Sequence, residues 1–173
     1  MIYEALRSIV GRARFTMTVT APFFLPLAPP SHAATATSTF KVQLSLTSSC
    51  VINRASRLNF GSHGVLIANV DSTTHLRVQC TNGTPYNIGL DAGTGSGATA
   101  AVRRMTLGSS TINYSLYSDS GRTSVWGNTI GTNTIGDVGN GASRRYTVYG
   151  RVPPQTTPAA GAYTDTITVT VTY

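Results

Sequence analysis

The last eight residues, Thr166-Ile167-Thr168-Val169-Thr170-Val171-Thr172-Tyr173, place an apolar or aromatic side chain at every second position, with threonine between. A period of two belongs to a strand with one face on a core and the other in water. β-branched residues such as these also favour extended backbone. The same alternation recurs upstream. Tyr86, Ile88 and Leu90 alternate with Asn87 and Gly89, and Leu76, Val78 and Cys80 with Arg77 and Gln79. Ile112, Tyr114 and Leu116 alternate with Asn113 and Ser115, and Tyr146 and Val148 with Thr147 and Tyr149. Val51-Ile52 and Leu58 to Phe60 read as short strands around a polar turn. Nothing competes at the helical period, so the pattern predicts an antiparallel β-sandwich.

Composition agrees. The chain has 173 residues, of which 11% are charged and 8% aromatic, with 17 Gly and 8 Pro. Ser and Thr make up about a quarter. One glutamate and one lysine, Glu4 and Lys41, cannot furnish the charged flanks of helical seams. A 40% hydrophobic content with regular alternation can fill a core, which excludes a disordered chain. Three stretches read as loops: Asp91 to Ala101, Gly127 to Ser143 with a short strand at Thr134-Ile135, and the Pro-rich Pro153 to Gly161. No internal repeat divides the chain.

The N-terminus has the layout of a secretory signal peptide over residues 1–33. Arg7, Arg12 and Arg14 precede an apolar stretch from Phe15 to Leu27. Pro29 and Pro30 break it, and Ser31-His32-Ala33-Ala34 supplies small residues for cleavage after Ala33 or Ala34, with Ala36 as an alternative. The stretch is too short and Pro-rich for a stable spanning helix. Glu4 and the long basic region are atypical of such a leader, and a start at Met17 would omit the arginines. Removing the leader lowers the net charge by two from +7. The remaining basic residues are scattered, paired only at Arg103-Arg104 and Arg144-Arg145, which reads as a solvated surface rather than a nucleic-acid site. Export and an even cysteine count belong together. Cys50 and Cys80 are the only cysteines, so one disulfide is expected. It would close a loop of about 30 residues, worth roughly 3–4 kcal/mol in the chain-entropy model.

The segment Phe40, Val42, Leu44, Leu46 alternates with Lys41, Gln43, Ser45 and Thr47 ahead of the disulfide. It reads either as an ordinary first strand or as a strand offered to another copy. The sequence also stops on a strand, an edge that a sandwich ordinarily protects.

Several motifs carry a family resemblance. They are Arg103-Arg104-Met105, Tyr114-Ser115-Leu116-Tyr117-Ser118-Asp119, Val125-Trp126-Gly127, and Tyr146-Thr147-Val148-Tyr149-Gly150-Arg151-Val152-Pro153. The run Gly161 to Tyr173 and the cysteines Cys50 and Cys80 complete the set. From about Phe40 to Tyr173 the chain resembles the spore coat protein U domain family, which includes subunits of archaic chaperone–usher pili. The resemblance implies an incomplete immunoglobulin-like antiparallel β-sandwich, completed by a donor strand from another subunit. It implies a donor segment at residues 34–47, a pilin domain at 48–173, and a disulfide tying the early domain to its second strand. Implied partners are a periplasmic pilus chaperone, an outer-membrane usher and neighbouring pilin subunits in a head-to-tail polymer. No cofactor, metal, nucleic acid or small-molecule substrate is implied. The expected output is a secreted surface fibre supporting adhesion and biofilm formation. On this reading Phe40, Val42, Leu44 and Leu46 are donor plugs. Ile167, Val169 and Val171 line the acceptor groove or the core beside it. The alternative is a non-polymerising secreted coat protein, or an adhesive binding module, of the same fold.

Catalytic patterns are weak. His63 and His75 are isolated, and His75 fits a solvent-facing strand position. Asp119 begins an Asp-Ser-Gly turn, and Asp165 suits a turn or edge strand better than a carboxylate pair. Gly93, Gly95 and Gly97 lack the following helix of a phosphate loop. Asn82-Gly83-Thr84 and Asn113-Tyr114-Ser115 fit a glycosylation sequon too short to be informative. Trp126 with Tyr117 and Tyr149 could form a sugar-stacking patch, but core or sheet packing is the commoner use of such rings.

Overall fold

Alternation becomes burial along the central strands. Leu76, Val78 and Cys80 are buried, as are Tyr86, Ile88 and Leu90, then Tyr114 and Leu116, then Val148 and Val152. The side chains between them face outward, as the pleat requires, while Gly89 and Gly150 are buried. The structure is a computed structural model and describes residues 32–173. The expected signal segment at residues 1–33 lies almost wholly outside the described residues. Residues 44–173 form one unit, and the described residues before Leu44 belong to a separate N-terminal one.

The body contains eight strands and, among the described residues, no helix: β1 (Cys50–Ala55), β2 (Val70–Cys80), β3 (Pro85–Leu90), β4 (Arg103–Leu107), β5 (Ser110–Tyr117), β6 (Ile135–Val138), β7 (Ser143–Val152) and β8 (Val169–Thr172). They form two antiparallel sheets, one ordered β1-β2-β7-β5-β4 and one ordered β6-β3-β8. The core lies between them. Trp126 ties the sheets together. Its backbone N–H donates to Leu116 of β5 at 2.8 Å, and its indole Nε1–H to Ile88 of β3 at 2.9 Å. It is fully buried, so the sugar-stacking use of its ring is excluded.

Arg103 makes the second link. Its side chain is fully buried and donates to four backbone carbonyls: Leu90 at 3.1 Å, Asp91 at 2.8 Å, Ala100 at 2.7 Å and Trp126 at 2.7 Å. A planar fork with five donors can meet four diverging carbonyls, which an ammonium cannot. Burial pulls the guanidinium pKa down, while Tyr114, Asp91 and Asp165 push it back up.

Cys50 and Cys80 stand opposite each other in the β1–β2 register and are joined as a disulfide. Three sequence expectations shift in position. The last strand pairs only from Val169, not Ile167. The loop strand near Thr134-Ile135 is β6, from Ile135. Leu58 to Phe60 forms no strand, because the chain leaves β2 after Ser56, whose N–H donates to His75 at 3.2 Å.

Candidate functional site: an open groove between two strand edges

The departure of the chain from β2 opens a groove of about 640 Å³. One wall is Ala55 to Phe60, continuing β1. The other is Tyr163 to Ile167 with Val169, leading into β8. The floor is core: Leu76, Leu90, Tyr114, Leu116 and Val148. Such a floor in an otherwise close-packed body marks a place where one layer of packing is incomplete.

Each wall is held by specific bonds. The Thr74 hydroxyl donates to the Ser56 carbonyl at 2.9 Å, and the Ser72 hydroxyl to that of Asn59. Gly150 of β7 lets the wall approach closely: a Cβ there would meet Leu58 Cδ2 at 2.5 Å and Phe60 Cζ at 2.9 Å. Phe60 stands edge-on to Tyr114, with ring centroids 6.1 Å apart. On the other wall, Thr106 of β4 and Thr164 exchange backbone hydrogen bonds of 2.9 and 3.2 Å. Asp165 accepts from the Thr94 N–H at 2.8 Å, the Thr94 hydroxyl at 2.9 Å and the Tyr114 hydroxyl at 2.7 Å.

Backbone edges matter as much as side chains. β8 pairs with β3 on one side, with Gly89 opposite Thr170 and Leu90 opposite Val169. It is the outermost strand of its sheet. The Asp91 N–H donates to the Thr168 carbonyl, so the even-numbered residues bond toward β3. Ladder alternation then turns the N–H and C=O of Ile167, Val169 and Val171 toward the open side. β1 is likewise the outermost strand of the other sheet. The groove thus runs from the end of β1 at Ala55 to the start of β8 at Val169, each the outermost strand of its sheet, and an unpaired outer edge can accept a further strand.

The residues singled out in the sequence fall as follows. Ile167 and Val169 line the groove. Val171 lies in the core beside it, half-buried opposite Ile88. Phe40, Val42, Leu44 and Leu46 are 82–87% exposed and carry no ladder. Alternation gives a segment one apolar face, but strand structure also needs a paired edge. The Leu58–Phe60 wall and the floor residues Met105 and Tyr114 escaped the site reading. Alternation marked Tyr114 as inward-facing, Leu58 to Phe60 read only as a short strand, and Met105 only as part of a motif, none of which shows that the site lies open above them.

The residues weighed for catalysis stand apart. Asp119 caps its turn, accepting from the Thr123 and Ser124 N–H groups. His75 stands on the outer face of β2, and the His63 ring bonds the Phe60 carbonyl. Among the described residues, no group of three or more His, Cys, Asp or Glu could hold a metal ion.

The match to the Spore Coat Protein U domain model runs over residues 36–170. The chain belongs to that family. A relative, Protein U of Myxococcus xanthus, is 37% identical over 170 residues, covering 90% of this chain and 94% of that protein. Among solved structures, the chain resembles one in the crystal structure of the CsuC–CsuE chaperone–tip adhesion subunit pre-assembly complex, from archaic chaperone–usher Csu pili of Acinetobacter baumannii. The TM-score is 0.54 with 24% identity, over 73% of this chain and 40% of that one. This chain thus spans two fifths of the solved chain it matches. The spore coat protein U domain here is an immunoglobulin-like sandwich, all antiparallel, with a gap beside its last strand.

Proposed function

We propose that the chain is a structural subunit of a chaperone–usher pilus, polymerising by donor-strand complementation. The observation that carries this reading is the groove: about 640 Å³ floored by apolar core residues, with walls of mixed polarity that run from the end of β1 to the start of β8, the outermost strands of the two sheets. Strand addition needs such edges, with main-chain bonds giving affinity and alternate side chains giving specificity. The chain also carries a matching occupant for a neighbouring copy. Phe40, Val42, Leu44 and Leu46 present four apolar side chains at strand spacing, exposed and unpaired. Phe40 to Leu46 extended spans about 20 Å, enough to run alongside the six-residue Ala55–Phe60 wall.

The energies suit a linker. Burying four such side chains is worth about 6–12 kcal/mol before ordering costs. Each ladder hydrogen bond adds roughly 0.5–1.5 kcal/mol. A donor from one copy in the groove of the next is a head-to-tail contact that does not close, so it builds a filament. Because the groove completes the core, occupancy also stabilises the fold. In this reading a periplasmic chaperone fills the groove before assembly and an outer-membrane usher exchanges it for the next donor. The relationship to the chaperone–subunit structure supports that route. The subunit then passes through the periplasm to the cell surface, where the fibre serves adhesion and biofilm formation. No catalysis is assigned.

The family's own name supports a second reading, a secreted coat protein or adhesive module of the same fold that does not polymerise. A peptide of residues 38–48, added to the domain lacking residues 34–47, separates the two. Under the pilus reading the peptide binds and raises the unfolding midpoint, and the same peptide with Leu44→Asp does neither. A domain indifferent to both peptides would support the coat-protein reading.

A further inference from the structure

Arg54, Arg77 and Arg145 stand in one row across three adjacent strands. In the β1–β2 register Arg54 is opposite Arg77, and in the β2–β7 register Arg77 is opposite Arg145. All three are exposed. Leu76 and Val78 point into the core, so the row lies on the outer face of the sheet, away from the groove floor. With strands about 4.8 Å apart, three cations sit within about 10 Å.

Like charges directly opposite one another destabilise a sheet. Here the register is arranged to produce them. A β-bulge lies between Ile52 and Arg54, so that Ile52 faces Val78 while Arg54 faces Arg77. Had the upstream register continued unbroken, Arg54 would fall opposite Leu76, on the core face. Bulges re-aim side chains in this way.

No carboxylate of the described residues neutralises the row. Asp71 pairs with Arg122 and Arg151, and Asp137 with Arg144. Asp119 caps its turn, Asp165 holds Thr94 and Tyr114, and Asp91 accepts from Gly93 and Thr168. The groups beside the row are uncharged: Val51, exposed and opposite Gln79, and neutral donors and acceptors. Asn53 Nδ2 donates to Gln79 Oε1 at 3.1 Å and to Ser143 Oγ at 3.3 Å on one side. His75 and Thr147 are paired on the other. Burial first, and then Arg145, Arg54 and Arg77, depress the His75 pKa, so that ring adds a neutral partner. No Phe, Tyr or Trp stands in these three rows, so the stacking platform of a single-stranded nucleic-acid site is missing.

We propose that the Arg54–Arg77–Arg145 row is a docking surface for an acidic polysaccharide, whose repeated anionic groups pair with the guanidiniums while its hydroxyls meet Asn53, Gln79 and Thr147. Guanidinium forks match carboxylate and sulfate oxygens in geometry as well as charge.

The test is binding of polygalacturonate to the full chain at low and moderate salt. Arg77→Ser and, separately, Arg145→Ser should each weaken binding about tenfold, the loss of one charge-assisted contact. Arg104→Ser removes the same charge from β4 and should change binding less than about twofold. Arg77→Ser should also leave the unfolding midpoint unchanged or raised, because it relieves repulsion. Equal loss in all three variants would reduce the effect to net charge and overturn the proposal. So would an absence of binding, or Arg77-dependent binding of a single-stranded oligonucleotide in preference to the polysaccharide.

Discussion

The Tyr114 hydroxyl donates a 2.7 Å hydrogen bond to Asp165 Oδ2, joining the floor strand β5 to the wall that leads into β8. Tyr114 is buried, and that burial, followed by the Asp165 bond, raises its phenol pKa well above the ordinary value. The hydroxyl therefore stays a donor across the working pH range. Tyr114→Phe should cost about 1–2 kcal/mol, the low end for a bond to a charged acceptor, because Thr94 and Thr166 still serve the carboxylate. Urea unfolding of the two proteins measures this.

Arg103 should be less replaceable. Arg103→Lys keeps the charge but cannot reach four carbonyls spread over Leu90, Asp91, Ala100 and Trp126. Leaving buried carbonyls unmet predicts a loss of about 2–4 kcal/mol. Denaturant midpoints at matched slope check the value, and a loss under about 0.5 kcal/mol would contradict the assigned role.

Asp71 sets an acid limb. The hydrogen bond from Arg151 above all, with the Arg122 charge adding to it, holds its pKa below 3.8 against the opposing cost of burial. A depressed folded pKa means the contribution is fully present above the unfolded value and is lost as pH falls through the folded one. Asp71→Asn should therefore flatten the fall in stability below about pH 4 and lower stability slightly at pH 7. Thermal melts across pH 2–7 on both proteins test the sign.

Leu44→Asp should block polymerisation without unfolding the body. Leu44 is 82% exposed, so the substitution removes no core contact within the described residues. A carboxylate carried into an apolar groove is costly unless paired. The variant should keep the wild-type circular dichroism spectrum and give no multimers. Normal fibre assembly by this protein would sink the donor assignment.

Alternation made the sheets legible: Leu76, Val78, Ile88 and Leu116 were marked as inward-facing by period alone, and all are buried. Alternation is blind to what covers a strand. It could not show that Leu58 and Phe60 leave β2, nor that Met105 and Tyr114 lie under a gap, because both depend on contacts far apart in the chain. It also extended the last strand to Ile167, where pairing with β3 begins only at Val169. Arg103 was visible as part of a motif, yet an arginine in a strand reads as surface. Only the convergence of four carbonyls identifies it as buried. The Arg54–Arg77 pairing was hidden for a similar reason, since a bulge shifts register without leaving a mark in composition.

The central claim is that one copy's N-terminal strand fills the next copy's groove. Its most direct test is an unheated denaturing gel of periplasmic protein, co-produced with a matching chaperone. One sample carries the mature chain and the other lacks Ala34 to Thr47. The account predicts a resistant ladder from the first and monomer from the second. A mature chain that stays monomeric and folded without any chaperone would contradict it, and the segment would then pair within its own domain.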